Sequence, residues 1–222
     1  MHGMMFKPWK IKAISEDPDR EWLTRRTGGL EIINQEPDIW VYRTIKDGYF
    51  IFEALGLGLW AKVKSDYKVD EIVYEKEAWE IEQIEFPMAE ISYVADVYGY
   101  HDHDVYIGDK KLPTNIGRVQ SSFYMPAWAA RYFLKILGVR VERLQEITEE
   151  DAIKEGCQLI ARTIQPFELK PYPHFTAPER PFTYKDNFIG IWDSTNKDYP
   201  YKKNPWVFVY TLKPVEKPDE ND

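Results

Sequence analysis

Val139-Arg140-Val141-Glu142-Arg143-Leu144-Gln145-Glu146-Ile147, running into Thr148-Glu149-Glu150-Asp151-Ala152-Ile153-Lys154-Glu155-Gly156, changes from strand-like to helical character within a few residues. Upstream of it, Tyr132, Leu134 and Ile136 alternate on one face, so Tyr132–Leu144 reads as a long extended segment. Thr148 then supplies a helix N-cap and Asp151, three positions on, the matching acid; Ala152 and Ile153 give the apolar side and Gly156 the stop. Glu149 and Glu150 in the first turn suit the positive end of the helix dipole.

On the N-terminal side, Met4–Lys7 reads as a short strand, followed by a helix with Pro8 in its first turn, where a missing N–H costs nothing. Glu16-Asp17-Pro18-Asp19 ends that helix. Ile39–Ile45 and Tyr49–Leu55 are β-branched and aromatic, and Lys46-Asp47-Gly48 between them predicts a hairpin whose tight turn needs positive φ. Glu71–Trp79 and Ile91–Tyr98 read as strands, and Tyr100–Gly117 as a polar loop. Pro166, Pro171, Pro173, Pro178 and Pro181 mark residues 166–183 as an irregular loop insertion. Phe188–Asp193 reads as a short helix and Trp206–Leu212 as the last strand. Many strands with few short helices imply an α+β, barrel-like domain over residues 1–213, followed by a charged, disordered tail at 214–222.

A hydrophobic fraction of 44% is ample for a core, and the 8 Trp and 15 Tyr supply rings both for packing and for stacking on a ligand. Cys157 is the sole cysteine, so no internal disulfide forms and a reducing, cytoplasmic setting is expected. No apolar run approaches the roughly 18 residues of a membrane span, and Met1–Lys10 mixes Lys, Pro and Trp rather than forming a signal-peptide core. A net charge of −8 opposes long phosphate backbones, so generic duplex DNA binding is not expected and a small ligand or a short single strand is favoured.

Four blocks are similar, in order, to the phage-type ASCH family of the PUA-like superfamily. Asp19-Arg20-Glu21-Trp22-Leu23-Thr24-Arg25-Arg26 resembles its Gly-Arg-Lys-Thr-x-Thr-x-Arg signature. Val69–Trp79, ending Lys76-Glu77-Ala78-Trp79, resembles its GD-x-LWVRETW strand. The third and longest block is Met125-Pro126-Ala127-Trp128-Ala129-Ala130-Arg131 with Val139–Gly156; the fourth is Ile191–Ser194 with Asn204–Val207. The resemblance implies a PUA-like mixed β pseudo-barrel with flanking short helices, and a cleft that holds a nucleobase, a nucleoside or short single-stranded RNA. It also implies a route to hydrolysis of N4-acylcytosine nucleosides, with Thr24 as nucleophile and Glu155 as acid or base. The lysine of that machinery falls on Glu21.

Each site candidate has a structural alternative. Thr24 is otherwise an ordinary strand threonine. Glu155 meets the negative end of its helix dipole, an unfavourable place that a functional role would account for. Arg25 and Arg26 point to opposite faces of a strand. Arg26 matches the family's last arginine, and its alternative is a salt bridge. Glu77 shares a face with Glu75 and Trp79 and orients Arg26 or a base edge, or is a buried ion-pair partner. Lys10 can restore the missing ammonium from the first helix, and Trp22 and Trp128 are the stacking candidates. His101-Asp102-His103-Asp104 lacks further converging ligands, so no metal is expected, and no cofactor motif is present. Recognition of a modified base ranks first, hydrolysis second because of Glu21, and a phage accessory protein that binds a host protein third.

Overall fold

Asp47 and Gly48 both adopt positive φ, 53° and 75°. They close the hairpin between β3 (Trp40–Lys46) and β4 (Tyr49–Ala54), as the sequence predicts. The computed structural model describes residues 1–94, 103–107, 110, 112–113, 116–159 and 182–218. Most of the expected 166–183 insertion lies outside them, as do His101, Asp102 and the end of the tail. The described residues form a mixed α+β structure, mostly strands with three short α-helices. They divide into two compact units, residues 1–22, 67–139 and 210–222 in the first, 23–66 and 140–209 in the second.

In the first unit β1 (His2–Met5) runs parallel to β6 (Ile72–Lys76), and β6 pairs antiparallel with the start of β10 (Phe133–Arg143). Helix α1 (Pro8–Glu16) follows β1 and buries Lys10, Ile11, Ala13 and Ile14. A second sheet has the order β7-β8-β9 (Trp79–Glu85, Met88–Tyr93, His103–Tyr106). Its apolar side packs Trp79, Ile81, Ile91 and Tyr93 against Met125, Ala129 and Phe133. Two expectations are corrected here. The segment expected as one strand over 71–79 breaks at Glu77-Ala78, and a strand, β9, stands inside the stretch expected to be loop. The alternation of β9 is weak because its side chains are polar on one face and half-buried on the other.

In the second unit β3, β4 and β5 (Leu59–Val63) form a three-stranded sheet. Beside β2 (Trp22–Arg26) lies the first half of β11 (Trp206–Val215), and next to that the end of β10. Leu23, Val207 and Val209 pack with Leu144, Ile147, Ala152, Phe188 and Trp192, which brings in α2 (Glu149–Lys154) and α3 (Tyr184–Thr195). Thr148 caps α2 by accepting from the Asp151 N–H, and Gly156 stops it at φ 89°. Helix α3 is twice the length read from the sequence, because its capping box with Asp186 starts at Thr183, five residues ahead of Phe188. Strand β11 continues to Val215, beyond Leu212, and so takes in the first residues of the expected tail. Every sheet has an open strand order among the described residues, and no sheet closes into a barrel. No helix among them is long and apolar enough to cross a membrane.

Candidate functional site

The residues singled out by sequence divide between the two units. Lys10, Glu21, Trp22, Glu77 and Trp128 belong to the first unit, and Thr24, Arg25, Arg26 and Glu155 to the second.

In the second unit, alternation along β2 sends Leu23 and Arg25 to the α2–α3 side and Thr24 and Arg26 to the other. The Arg25 side chain is fully buried. Its Nε and Nη2 donate to Glu142 Oε1 at 2.9 and 2.6 Å, Nη2 also to Asp151 Oδ2 at 2.6 Å, and Nη1 to Glu155 Oε1 at 2.9 Å. Arg140 braces the group from outside, 3.1 Å from Glu142 and 3.3 Å from Asp151. Burial works against the Arg25 charge, yet Glu155, Glu142 and Asp151 together outweigh it and hold the guanidinium above its ordinary value. Glu155, the C-cap of α2, therefore neutralises Arg25 and ties the helix end to the strand. The arrangement offsets the helix-end penalty that made Glu155 stand out in the sequence. Thr24 is buried on the opposite face of β2 from this network.

In the first unit, a different cluster gathers where β6 ends and β10 begins. Glu77 is buried, and Arg131 grips it bidentately, Nε to Oε1 at 2.8 Å and Nη2 to Oε2 at 2.9 Å. The Arg131 guanidinium lies over the rings of Tyr93 (4.3 Å) and Tyr132 (5.0 Å), which fix its plane. Lys10, only 3% exposed, enters from α1 with its ammonium 5.0 Å from the centre of the Trp22 ring. Trp22 itself is buried, with Arg20 also against its ring, and its Nε1 donates to the Asp17 carbonyl at 3.3 Å. Glu21 beside it is exposed.

Glu75, on β6, is 1% exposed, and both carboxyl oxygens are buried without a hydrogen-bond partner. Desolvation, then the neighbouring Glu77, push its pKa up to about 8 against the opposing pull of Lys10 and Arg131. Trp79 Nε1 is also buried without a partner, but that is one neutral N–H. Glu75 leaves a whole carboxyl unsatisfied. Glu75 is visible in the sequence as the acid two places before Glu77; no sequence signal says that its carboxyl goes without a hydrogen-bond partner.

Trp128 stands apart from the Lys10–Trp22 pair. It packs edge-on against Trp79 at 5.7 Å and lines an open hollow of about 280 Å³ with Tyr93, His103, Tyr106, Phe133 and Arg131. Phe133 is the register partner of Tyr74, the residue before Glu75, so the hollow and Glu75 lie toward opposite faces of the sheet. Arg131, just outside the sheet, borders both. No group of three or more metal-ligating side chains occurs among the described residues. No family model matches the chain, and neither a curated protein nor a solved structure matches it.

Proposed function

We propose that this chain is an ASCH-type, PUA-like protein that binds a nucleobase or nucleoside, and that the base is recognised in the first unit by Lys10, Trp22, Glu75, Glu77 and Arg131. The observation that carries the reading is the Glu75 carboxyl. A buried polar group normally has a partner, and an orphaned one costs about 1–3 kcal/mol. A ligand edge that hydrogen-bonds to both oxygens supplies what is missing. The four blocks that resemble the ASCH family support the same class of ligand, and three of the five residues are ones the sequence singled out.

Helix α1 brings Lys10 to this site. Lys7 at its N-cap makes no side-chain bond to the helix, and neither its first nor its last turn carries a charge that offsets the dipole. It is held instead by the packing of Ile11, Ala13 and Ile14, and a ligand that engages Lys10 is expected to slow its amide exchange. Binding without turnover ranks ahead of deacylation because Glu155 is committed to Arg25 and the lysine's position holds an exposed acid.

Calorimetric titration with cytidine and N4-acetylcytidine, together with amide exchange over residues 8–16, tests the proposal. Saturable binding that slows exchange in α1 is expected. Absence of binding by any common nucleoside, or binding that leaves α1 exchange unchanged, contradicts it.

A further inference from the structure

We infer that Glu75 selects the ligand by its hydrogen-bonding edge, taking one with a donor and an acceptor side by side, such as the exocyclic amino group and ring nitrogen of cytosine. The inference rests on the proposed binding site and adds to it the chemistry of the ligand edge.

The geometry comes first. Glu77 has both oxygens engaged by the Arg131 fork, so its acceptors are directed at that guanidinium. Glu75, two positions earlier and near enough for Glu77 to act on its charge, has both oxygens buried and unpartnered. Two carboxyls thus stand together with opposite standing, one saturated and one open. The charged groups around Glu75 are Glu77 on the same chain segment, Lys10 on α1, and Arg131 ahead of β10. His103 on β9 lies 3.5 Å from Arg131 Nη1 and so bears on the fork from its far side.

Protonation then decides what the open carboxyl offers. Burial and the nearby Glu77 keep Glu75 neutral up to about pH 8. A neutral carboxyl presents one O–H donor and one carbonyl acceptor in a plane. That pair complements cytosine, whose ring nitrogen accepts while its amino group donates. Once ionised, the same group is acceptor-only and sets a lone pair against that of the ring nitrogen. A glutamine side chain keeps one donor and one acceptor at every pH, so it reproduces the neutral form. Methionine keeps the length and neither hydrogen-bonding atom.

The test is titration calorimetry from pH 6 to 9.5 with cytidine, 3-deazacytidine, which lacks the ring acceptor, and N4,N4-dimethylcytidine, which lacks the amino donors. For the wild type, each analogue is expected to bind at least about tenfold more weakly than cytidine, the loss of one buried hydrogen bond. Cytidine affinity is expected to fall above pH 8. Glu75→Gln should hold cytidine with a flat pH profile, and Glu75→Met should lose it at least about tenfold at every pH, with melting curves confirming that both fold. Cytidine binding that is the same in wild type, Gln and Met variants and indifferent to pH overturns the role of Glu75 while leaving a binding site in place. Failure of the wild type to bind any of the three nucleosides overturns the site and the inference together.

Discussion

Two buried charge clusters, one in each unit, differ in a single respect, whether every buried charged group is hydrogen-bonded. Around Arg25, every guanidinium nitrogen reaches a carboxylate, and Arg140 covers the outer side. Around Glu75, the Arg131–Glu77 pair is equally well made, but the neighbouring carboxyl has no partner at either oxygen. The first cluster satisfies itself and has nothing left to offer a ligand. The second retains an unsatisfied group that lowers stability without an evident structural return, which is the signature expected where function constrains a residue.

Removing the central residue of each cluster should therefore move stability in opposite directions. Arg25→Ala leaves Glu142, Asp151 and Glu155 facing one another across a void, and is expected to cost about 3–5 kcal/mol in chemical denaturation. A loss below about 1 kcal/mol would show that the network is a surface ornament and would reopen a catalytic role for Glu155. Glu75→Met removes an orphaned polar group, so unfolding free energy should rise by about 1–3 kcal/mol. A destabilised Glu75→Met would mean that this carboxyl has a structural partner and that the contrast between the clusters is false.

The pH dependence of folding sharpens the same contrast. The Glu75 pKa is raised from 4.5 unfolded to about 8 folded. The unfolded chain thus carries fewer protons across that window, and stability falls as pH rises through it. The contribution is whole below about pH 4.5, is lost up to about pH 8, and is constant above. Urea midpoints of wild type and Glu75→Gln between pH 5 and 9 isolate it, with a difference in slope of at most about 1.4 kcal/mol per pH unit. Parallel curves for the two proteins would contradict the assignment.

The smallest effects concern the residues that the family resemblance offers for hydrolysis. Wild type is expected to convert little or no N4-acetylcytidine to cytidine, followed by ultraviolet absorbance, and Thr24→Ala is expected to leave cytidine affinity within about twofold. Robust turnover abolished by Thr24→Ala would move the functional centre to the second unit and make the chain an enzyme.

What the sequence made legible was local. Asp47-Gly48 announces its turn through the φ that such a turn requires, and Thr148 announces its helix through a hydroxyl that accepts from Asp151. Strand β5 is not legible because Gly56 and Gly58 place turn signals immediately before Leu59, and β9 because it is short and opens on the polar pair His103-Asp104. Lys10, Trp22 and Glu77 were legible as candidates through the family resemblance. The partner of Arg25 was not, since Glu142 is 117 positions away and nothing in either neighbourhood encodes that pairing. For the same reason Glu155 looked available and Glu75 looked ordinary. Whether a charged side chain is saturated depends on long-range packing, which periodicity does not report.

A crystal structure of the chain with cytidine tests the central claim most directly. The account predicts the base in the first unit, its ring nitrogen and amino group within about 3.2 Å of the two Glu75 oxygens, with the Arg25 network unchanged. A base seated against Thr24 and Glu155, with Arg25 displaced from Glu155 to admit it, would contradict the account.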